Sequence, residues 1–161
     1  MNIKSLLAAT FAVASMSTLS MAQTRTIEHE YSEFDAISVS DGFKVSFVES
    51  DGYSAKFKVN DAFESYVQCY VKAGTLYIGV DDKSIPKEVK KSFKGKNSDD
   101  PVLEATVYVP SLKAVTLSDN CTFSCDKDIN APKFTLELSG TSSVSNLNIH
   151  AGESAVITVS K

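Results

Sequence analysis

A repeat near the C-terminal end constrains this chain more than any other feature. Leu117-Ser118-Asp119, Leu138-Ser139-Gly140 and Val159-Ser160-Lys161 recur at a spacing of 21 residues. Phe123 matches Val144 at the same offset, and Ile129 matches Ile149 at 20. Each unit reads as an alternating strand, a corner of Ser plus a small residue, a short strand and a turn. One such unit is too small to bury an apolar face alone, so it gains a core only by stacking on the next. The repeat predicts a β-solenoid with coils of about 21 residues over residues 112–161. Asn120, Ser142, Ser143, Asn146 and Asn148 fall at the corners, where short polar side chains hydrogen-bond turns.

Upstream the chain also alternates with period two. Ile37 and Val39, then Phe43, Val45 and Phe47, then Ala55, Phe57 and Val59 face one way, with Ser, Lys and Glu between them. Ser40-Asp41-Gly42 and Ser50-Asp51-Gly52 supply turn chemistry. With Ala73-Gly74 as a two-residue hairpin loop, Val71 faces Leu76, Tyr70 faces Tyr77 and Cys69 faces Ile78. Val67, Cys69, Val71, Leu76, Ile78 and Val80 then share one face, and Tyr70 and Tyr77 oppose each other on the other. Residues 81–101 break the pattern. Pro86 suits a first helical position, Val89 and Phe93 are four apart, and Gly95 ends the turn, which predicts a short amphipathic helix. Lys87, Lys90, Lys91, Lys94 and Lys96 form a basic cluster answered by Asp99 and Asp100, so the segment reads as a solvated loop insertion. The predicted class is all-β: N-terminal strands and a hairpin continuing into the solenoid, in one domain over 34–161 after a tail at 23–33.

The first 22 residues read as a signal peptide. Lys4 precedes an apolar run from Leu6 to Ala14, and Ser20-Met21-Ala22 offers small residues for cleavage after Ala22. The run is too short to span a bilayer as a helix, and no cysteine follows the site for lipid anchoring. The expected location is the periplasm or the outer cell surface. The net charge is −4, or −5 once Lys4 is removed, and Arg25 is the sole arginine. Nucleic acid is excluded as a partner, because affinity there comes from cationic neutralisation of phosphate. Of three cysteines, Cys121 and Cys125 would lie about 13 Å apart on a strand, beyond the roughly 7 Å reach of a disulfide. They could pair only across a turn, and with an odd count at least one thiol of Cys69, Cys121 and Cys125 stays unpaired within a chain. All three read best as small buried side chains, and no His lies at zinc-ligand spacing from them.

Several ordered segments together resemble a bacterial family, the "putative auto-transporter adhesin, head GIN domain" proteins. They are Phe34-Asp35-Ala36-Ile37-Ser38-Val39, Gly42-Phe43-Lys44-Val45, Gly74-Thr75-Leu76-Tyr77-Ile78, Val107-Tyr108-Val109-Pro110-Ser111-Leu112-Lys113-Ala114-Val115 and Leu136-Glu137-Leu138-Ser139-Gly140-Thr141-Ser142. The resemblance covers about residues 34 to 161. It implies an exported β-helical binding module and carries over no catalytic residue. Asp119-Asn120 departs from the Ser-Gly-Ser-like corner usual there.

Few constellations carry chemistry. Asp126, Asp128, Asn130 and Glu137 match positions of a calcium loop, but Ala131 replaces its glycine and Pro132 follows. A cluster of polar turn residues explains them better, so no metal or cofactor is expected. His29 and His150 have no recognisable nucleophile beside them. A polysaccharide lyase or hydrolase built on a β-helix is the enzymatic alternative, but hydrolases need paired acids and lyases a cation for the uronate, and arginine is nearly absent. The favoured reading is therefore a non-enzymatic adhesin-like binding or structural module whose partner is a glycan or a cell-surface protein. Tyr70 and Tyr77 are the candidate stacking platform, although cross-strand aromatic pairs also stabilise sheets unaided. Ser118, Asn120, Ser139, Thr141 and Ser142 offer corner rows that could hydrogen-bond a ligand. An open solenoid end exposes unpaired strand groups, so further coils, a partner copy or the N-terminal strands are expected to cover it.

Overall fold

In a strand every second side chain points the same way, so each alternating segment offers one apolar face to bury. A computed structural model of the chain describes residues 23–93 and 100–161. The signal-peptide reading of residues 1–22, and the parts of the lysine cluster and turn at Lys94, Gly95, Lys96 and Asp99, lie outside the described residues. The fold is mostly β. Its strands are β1 (Thr24–Glu30), β2 (Ala36–Val39), β3 (Lys44–Glu49), β4 (Ser54–Asn60), β5 (Val67–Lys72), β6 (Thr75–Val80), β7 (Leu103–Val109), β8 (Ala114–Leu117), β9 (Thr122–Cys125), β10 (Ile129–Ser139), β11 (Ser143–Ser145) and β12 (Ile149–Ser160). They form two six-stranded sheets, ordered β1-β4-β7-β3-β9-β11 and β12-β10-β8-β2-β6-β5.

The sequence repeat is a spatial register. Leu138 lies opposite Leu117 on one side and Val159 on the other, in parallel ladders. Phe123 pairs with Val144 and Ile129 with Ile149. The hairpin register also agrees with the sequence: Val71 faces Leu76, Tyr70 faces Tyr77 and Cys69 faces Ile78. The inner faces of both sheets fill one core, with Phe43, Phe57, Ile37, Leu76, Val115, Leu117 and Phe123 at most 2% exposed.

Three expectations are changed by the structure. The chain is mostly β as expected, but its sheets are mixed and not closed, and do not show a solenoid, because β1–β4, β4–β7 and β5–β6 pair antiparallel. A two-residue loop such as Ala73-Gly74 can join only antiparallel neighbours. Secondly, β2 and β3 do not precede the repeat; they sit inside the stack, β2 between β6 and β8 and β3 between β7 and β9. Their pattern allows it, since Ile37 and Val39 align with Val115 and Leu117 and Ser40-Asp41-Gly42 makes the same corner as Ser118-Asp119-Asn120. Asp41, Gly42, Asp119 and Asn120 all have positive φ there, as does Gly140 at the next corner. Thirdly, the tail at 23–33 contains β1, paired along its length with β4 although six of its seven residues are exposed. Main-chain pairing holds it, with Arg25 reaching Asp61 at 3.3 Å and Glu64 at 3.2 Å.

The two ends of the stack differ. On the β4–β5 side a turn at Glu64–Tyr66 and helix α1 (Lys87–Ser92) bring Phe63 and Phe93 into edge contact at 4.9 Å, and Ile85 is buried. The insertion is thus not a purely solvated loop: Val89 and Phe93 pack against the core, as their four-residue spacing permits. At the other end β12 leaves Val156, Ile157 and Val159 at 51, 60 and 69% exposure. The N-terminal strands do not cover it, since β1 lies beyond β4 at the far side of its sheet from β11.

Leu117 and Val159 hold one repeat position in opposite settings, 0% against 69% exposed. Leu117→Ala should cost about 2–5 kcal/mol in urea unfolding, and Val159→Ala under about 0.5 kcal/mol. Equal losses would show that the buried ladder is not the core.

Candidate functional site

On the outer face of the β5–β6 hairpin, Tyr70 and Tyr77 stack with ring centroids 5.2 Å apart and planes at 16°. Directly opposed strand positions place the rings about one inter-strand spacing apart, so the sheet itself sets the stack. Tyr70 is half exposed. Tyr77 is flanked on its other side by Ser38, followed across the sheet by Thr116, Glu137 and Thr158. A large pair therefore borders a row of smaller side chains, and a ring laid over Ser38 would continue the stack at strand spacing.

Next to the pair is a hollow of about 110 Å³, lined by Ser38, Asp41, Gln68, Tyr70, Tyr77 and Gly79. Asp41 reaches it from the corner: its Oδ2 accepts hydrogen bonds from the Val80 amide at 2.9 Å and the Ser40 hydroxyl at 2.6 Å. Gly79 makes that approach possible. A Cβ there would stand 2.6 Å from Ser40 Oγ and 2.8 Å from Asp41 Oδ2, inside any real contact distance. Flat aromatic faces beside a carboxylate and an amide suit a ligand with apolar C–H faces and hydroxyl edges.

A larger cleft of about 390 Å³ lies at another corner, lined by Glu33, Phe34, Asp35, Tyr53, Gly74 and Lys113 among others. Sequence reasoning missed it, because its residues are spread over some eighty positions. The only available signal was that Asp35-Ala36-Ile37 and Lys113-Ala114-Val115 occupy matching strand entries. Lys113 donates to Asp35 at 2.6 Å, and that hydrogen bond and charge push the lysine pKa up. The two charges satisfy each other, and Tyr53 packs edge-on against Phe34 at 5.7 Å. The tyrosine hollow, by contrast, keeps exposed aromatic surface beside its polar groups, which makes it the stronger candidate.

The corner rows fare differently from expectation. Ser142 Oγ accepts the Cys121 amide at 3.1 Å, Thr141 donates to Asn120 at 3.0 Å, and Ser139 donates to the Leu117 carbonyl at 3.2 Å. Ser118 donates to the Val39 carbonyl at 3.4 Å. These groups join neighbouring strands and corners, so they have less to offer a ligand. The calcium-like residues do not converge either. Asp128 pairs with His150 at 2.8 Å on the surface, whereas Glu137 lies along β10 at the end of about 30 Å of extended chain. Among the described residues no group of three or more His, Cys, Asp or Glu could hold a metal ion.

The cysteines are unpaired: Cys121 and Cys125 are buried and Cys69 is half-buried. Cys125 donates to the Lys127 carbonyl at 2.7 Å. Burial pushes all three thiols up, Cys69 to about 11 although its hydrogen bond with Tyr31 pulls it down. Burial, then the same bond, lifts Tyr31 well above its ordinary value. Such thiols are poor nucleophiles, since the thiolate is the reactive form.

Residues 33–160 match the family described as "Putative auto-transporter adhesin, head GIN domain". No curated protein matches the chain. Among solved structures it is similar to a putative adhesin from Bacteroides fragilis, with TM-score 0.68, 15% identity, and coverage of 86% of this chain and 59% of that one. A putative adhesin from Parabacteroides distasonis gives TM-score 0.60 and 17% identity over 85% and 56% of the two chains. A putative lipid binding protein from the same species gives 0.52 and 19% over 86% and 60%. At these identities the likeness concerns the fold, and the chain spans less than two thirds of the length of each. Among the described residues no helix is long and apolar enough to cross a membrane.

The raised thiol pKa has a pH consequence. Unfolded Cys69 loses its proton near 9, before the folded form does at about 11. Its contribution to stability is therefore full below about pH 9 and is lost as pH rises through 11. Urea midpoints measured from pH 8 to 11 should fall, and fall less in Cys69→Ala; identical slopes would sink the assignment.

Proposed function

The chain belongs to the auto-transporter adhesin, head GIN domain family, and on that premise we propose that it is an exported, non-enzymatic module that binds a glycan on the Tyr70–Tyr77 platform. The observation that carries the reading is the stacked pair beside a hollow holding Asp41 and Gln68. A sugar laid against the tyrosines buries its C–H face, while the carboxylate and amide take its hydroxyls. The leader-like residues 1–22 support export to the periplasm or cell surface. The in-register ladders of Leu117, Leu138 and Val159 support reading residues 112–161 as successive coils of a β-solenoid. Such coils present repetitive outer faces suited to extended ligands.

Cleavage of a polysaccharide is the less favoured reading. Retaining or inverting hydrolysis needs two carboxyls flanking one bond, and several exposed acids here face lysines instead: Glu104 with Lys58 at 3.6 Å, Glu153 with Lys133 at 3.3 Å. Screening the purified protein on arrays of bacterial and host glycans identifies the ligand. The Tyr70→Ala, Tyr77→Ala double variant should then bind it at least about tenfold more weakly, from the loss of aromatic contact. Ser139→Ala should change affinity by less than about twofold. Unchanged binding by a folded double variant would reduce the tyrosines to sheet structure, and turnover of any glycan would overturn the non-enzymatic reading.

A further inference from the structure

The cleft of about 390 Å³ at the loop end of the β5–β6 hairpin lies apart from Gln68, Gly79 and Asp41, which line the tyrosine hollow. Main-chain hydrogen bonds tie its walls together. The Asp35 and Ala36 amides donate to the Gly74 carbonyl at 3.1 and 3.3 Å, the Lys113 amide to Asp35 at 2.7 Å and the Tyr31 amide to Tyr53 at 2.9 Å. These bonds set the walls before a ligand arrives, which lowers the ordering cost of binding. Inside, Phe34 is 3% exposed, and the half-buried Tyr53 packs edge-on against it at 5.7 Å. Pro110 and Ser111 add an apolar ring and a hydroxyl to the lining.

Glu33, Asp35 and Lys113 also line the cleft, two acids against one lysine, so a negative charge is left over. Lys113 is bound to Asp35 Oδ2 at 2.6 Å. Asp35 Oδ1 lies on the Gly74 side, where a Cβ would come no nearer to it than 3.9 Å. Gly74 has positive φ, so the turn itself demands a residue without a side chain, and this oxygen is left open. Glu33 is exposed and forms no ion pair among the described residues. A cation beside Gly74 can therefore take Asp35 Oδ1 without displacing Lys113, and the unbalanced Glu33 adds its attraction. We propose that this cleft is a second ligand site and that it takes the primary ammonium group of an amino sugar. Its volume, near the lower end for ligand pockets, suits one ring rather than an extended chain. The C–H face of the ring lies on Tyr53 and Pro110, its ammonium meets the two carboxylates, and its hydroxyls reach Ser111 and Lys113. An N-acetylated sugar has no charge to offer there, and a uronate would face two carboxylates of its own sign.

NMR titration of the purified protein with glucosamine, followed at the Asp35, Gly74 and Ser111 amides, tests the site. These amides should shift along one saturating curve with a dissociation constant of about 1–10 mM, the range for one ring held by one ion pair. N-acetylglucosamine should leave them in place. n-Butylamine, an ammonium without a ring, should bind at least about tenfold more weakly. Glu33→Gln should weaken glucosamine binding by about threefold and Glu33→Lys by more. Circular dichroism should be unchanged in both, because Glu33 is exposed. The Tyr70→Ala, Tyr77→Ala double variant should shift these amides as the wild type does, so the cleft and the platform stand or fall separately. No saturable shift up to about 50 mM glucosamine, an equal response to N-acetylglucosamine, or unchanged affinity in Glu33→Lys overturns the site. Butylamine binding as tightly as glucosamine overturns the amino-sugar assignment.

Discussion

Strands this short have no interior of their own, so each depends on lying in register with its neighbours in the sheet, and here a serine at one corner helps to fix that register. Ser118 donates to the Val39 carbonyl at 3.4 Å, Ser139 to Leu117 at 3.2 Å and Ser160 to Leu138 at 3.4 Å. In each case the acceptor ends the inward row of the adjacent strand. Main-chain bonds follow the same path, with the Ser118 amide on the Val39 carbonyl at 3.0 Å and the Ser143 amide on Cys121 at 2.9 Å. A slip by one residue would turn Leu117 and Leu138 outward. It would also break these corner bonds. Packing and polar satisfaction therefore select the same alignment.

That dependence explains why the ends of the stack matter. Where the β4–β5 side closes, the chain departs from strand to do so: Phe63, Ile85, Val89 and Phe93 come from turns and the α1 insertion. Tyr31, hydrogen-bonded to Cys69, adds a link between the chain entering β2 and strand β5. The β12 side has the same apolar rows and no such cover among the described residues.

The sequence showed the repeat, the hairpin register and the tyrosine pair, because period-two alternation and a 21-residue offset are local regularities. It did not show where β2 and β3 belong. Ser40-Asp41-Gly42 and Ser118-Asp119-Asn120 are visibly alike, but 78 residues separate them and a spacing of 21 does not relate them. Nor did alternation reveal β1, which buries almost nothing and owes its place to main-chain pairing with β4. Asp41 was legible as a turn residue and not as a wall of the tyrosine hollow. Its position there depends on Gly79, a contact between segments nearly forty residues apart.

Gly79 and Asp41 also tie the architecture to the proposed function. The corner at Ser40-Asp41-Gly42 turns the chain from one sheet to the other, with Asp41 in a left-handed conformation. Its carboxylate caps the Val80 amide at the end of the hairpin that carries Tyr77. The group that seats the corner on β6 thus also lines the hollow beside the aromatic pair. A fold whose interior is filled by stacked rows leaves its outer faces to meet a ligand. On this outer face, ring planes, strand spacing and a corner carboxylate are set by the same ladder that builds the core. The geometry of the Tyr70–Tyr77 pair is therefore a product of the strand pairing that holds both rings.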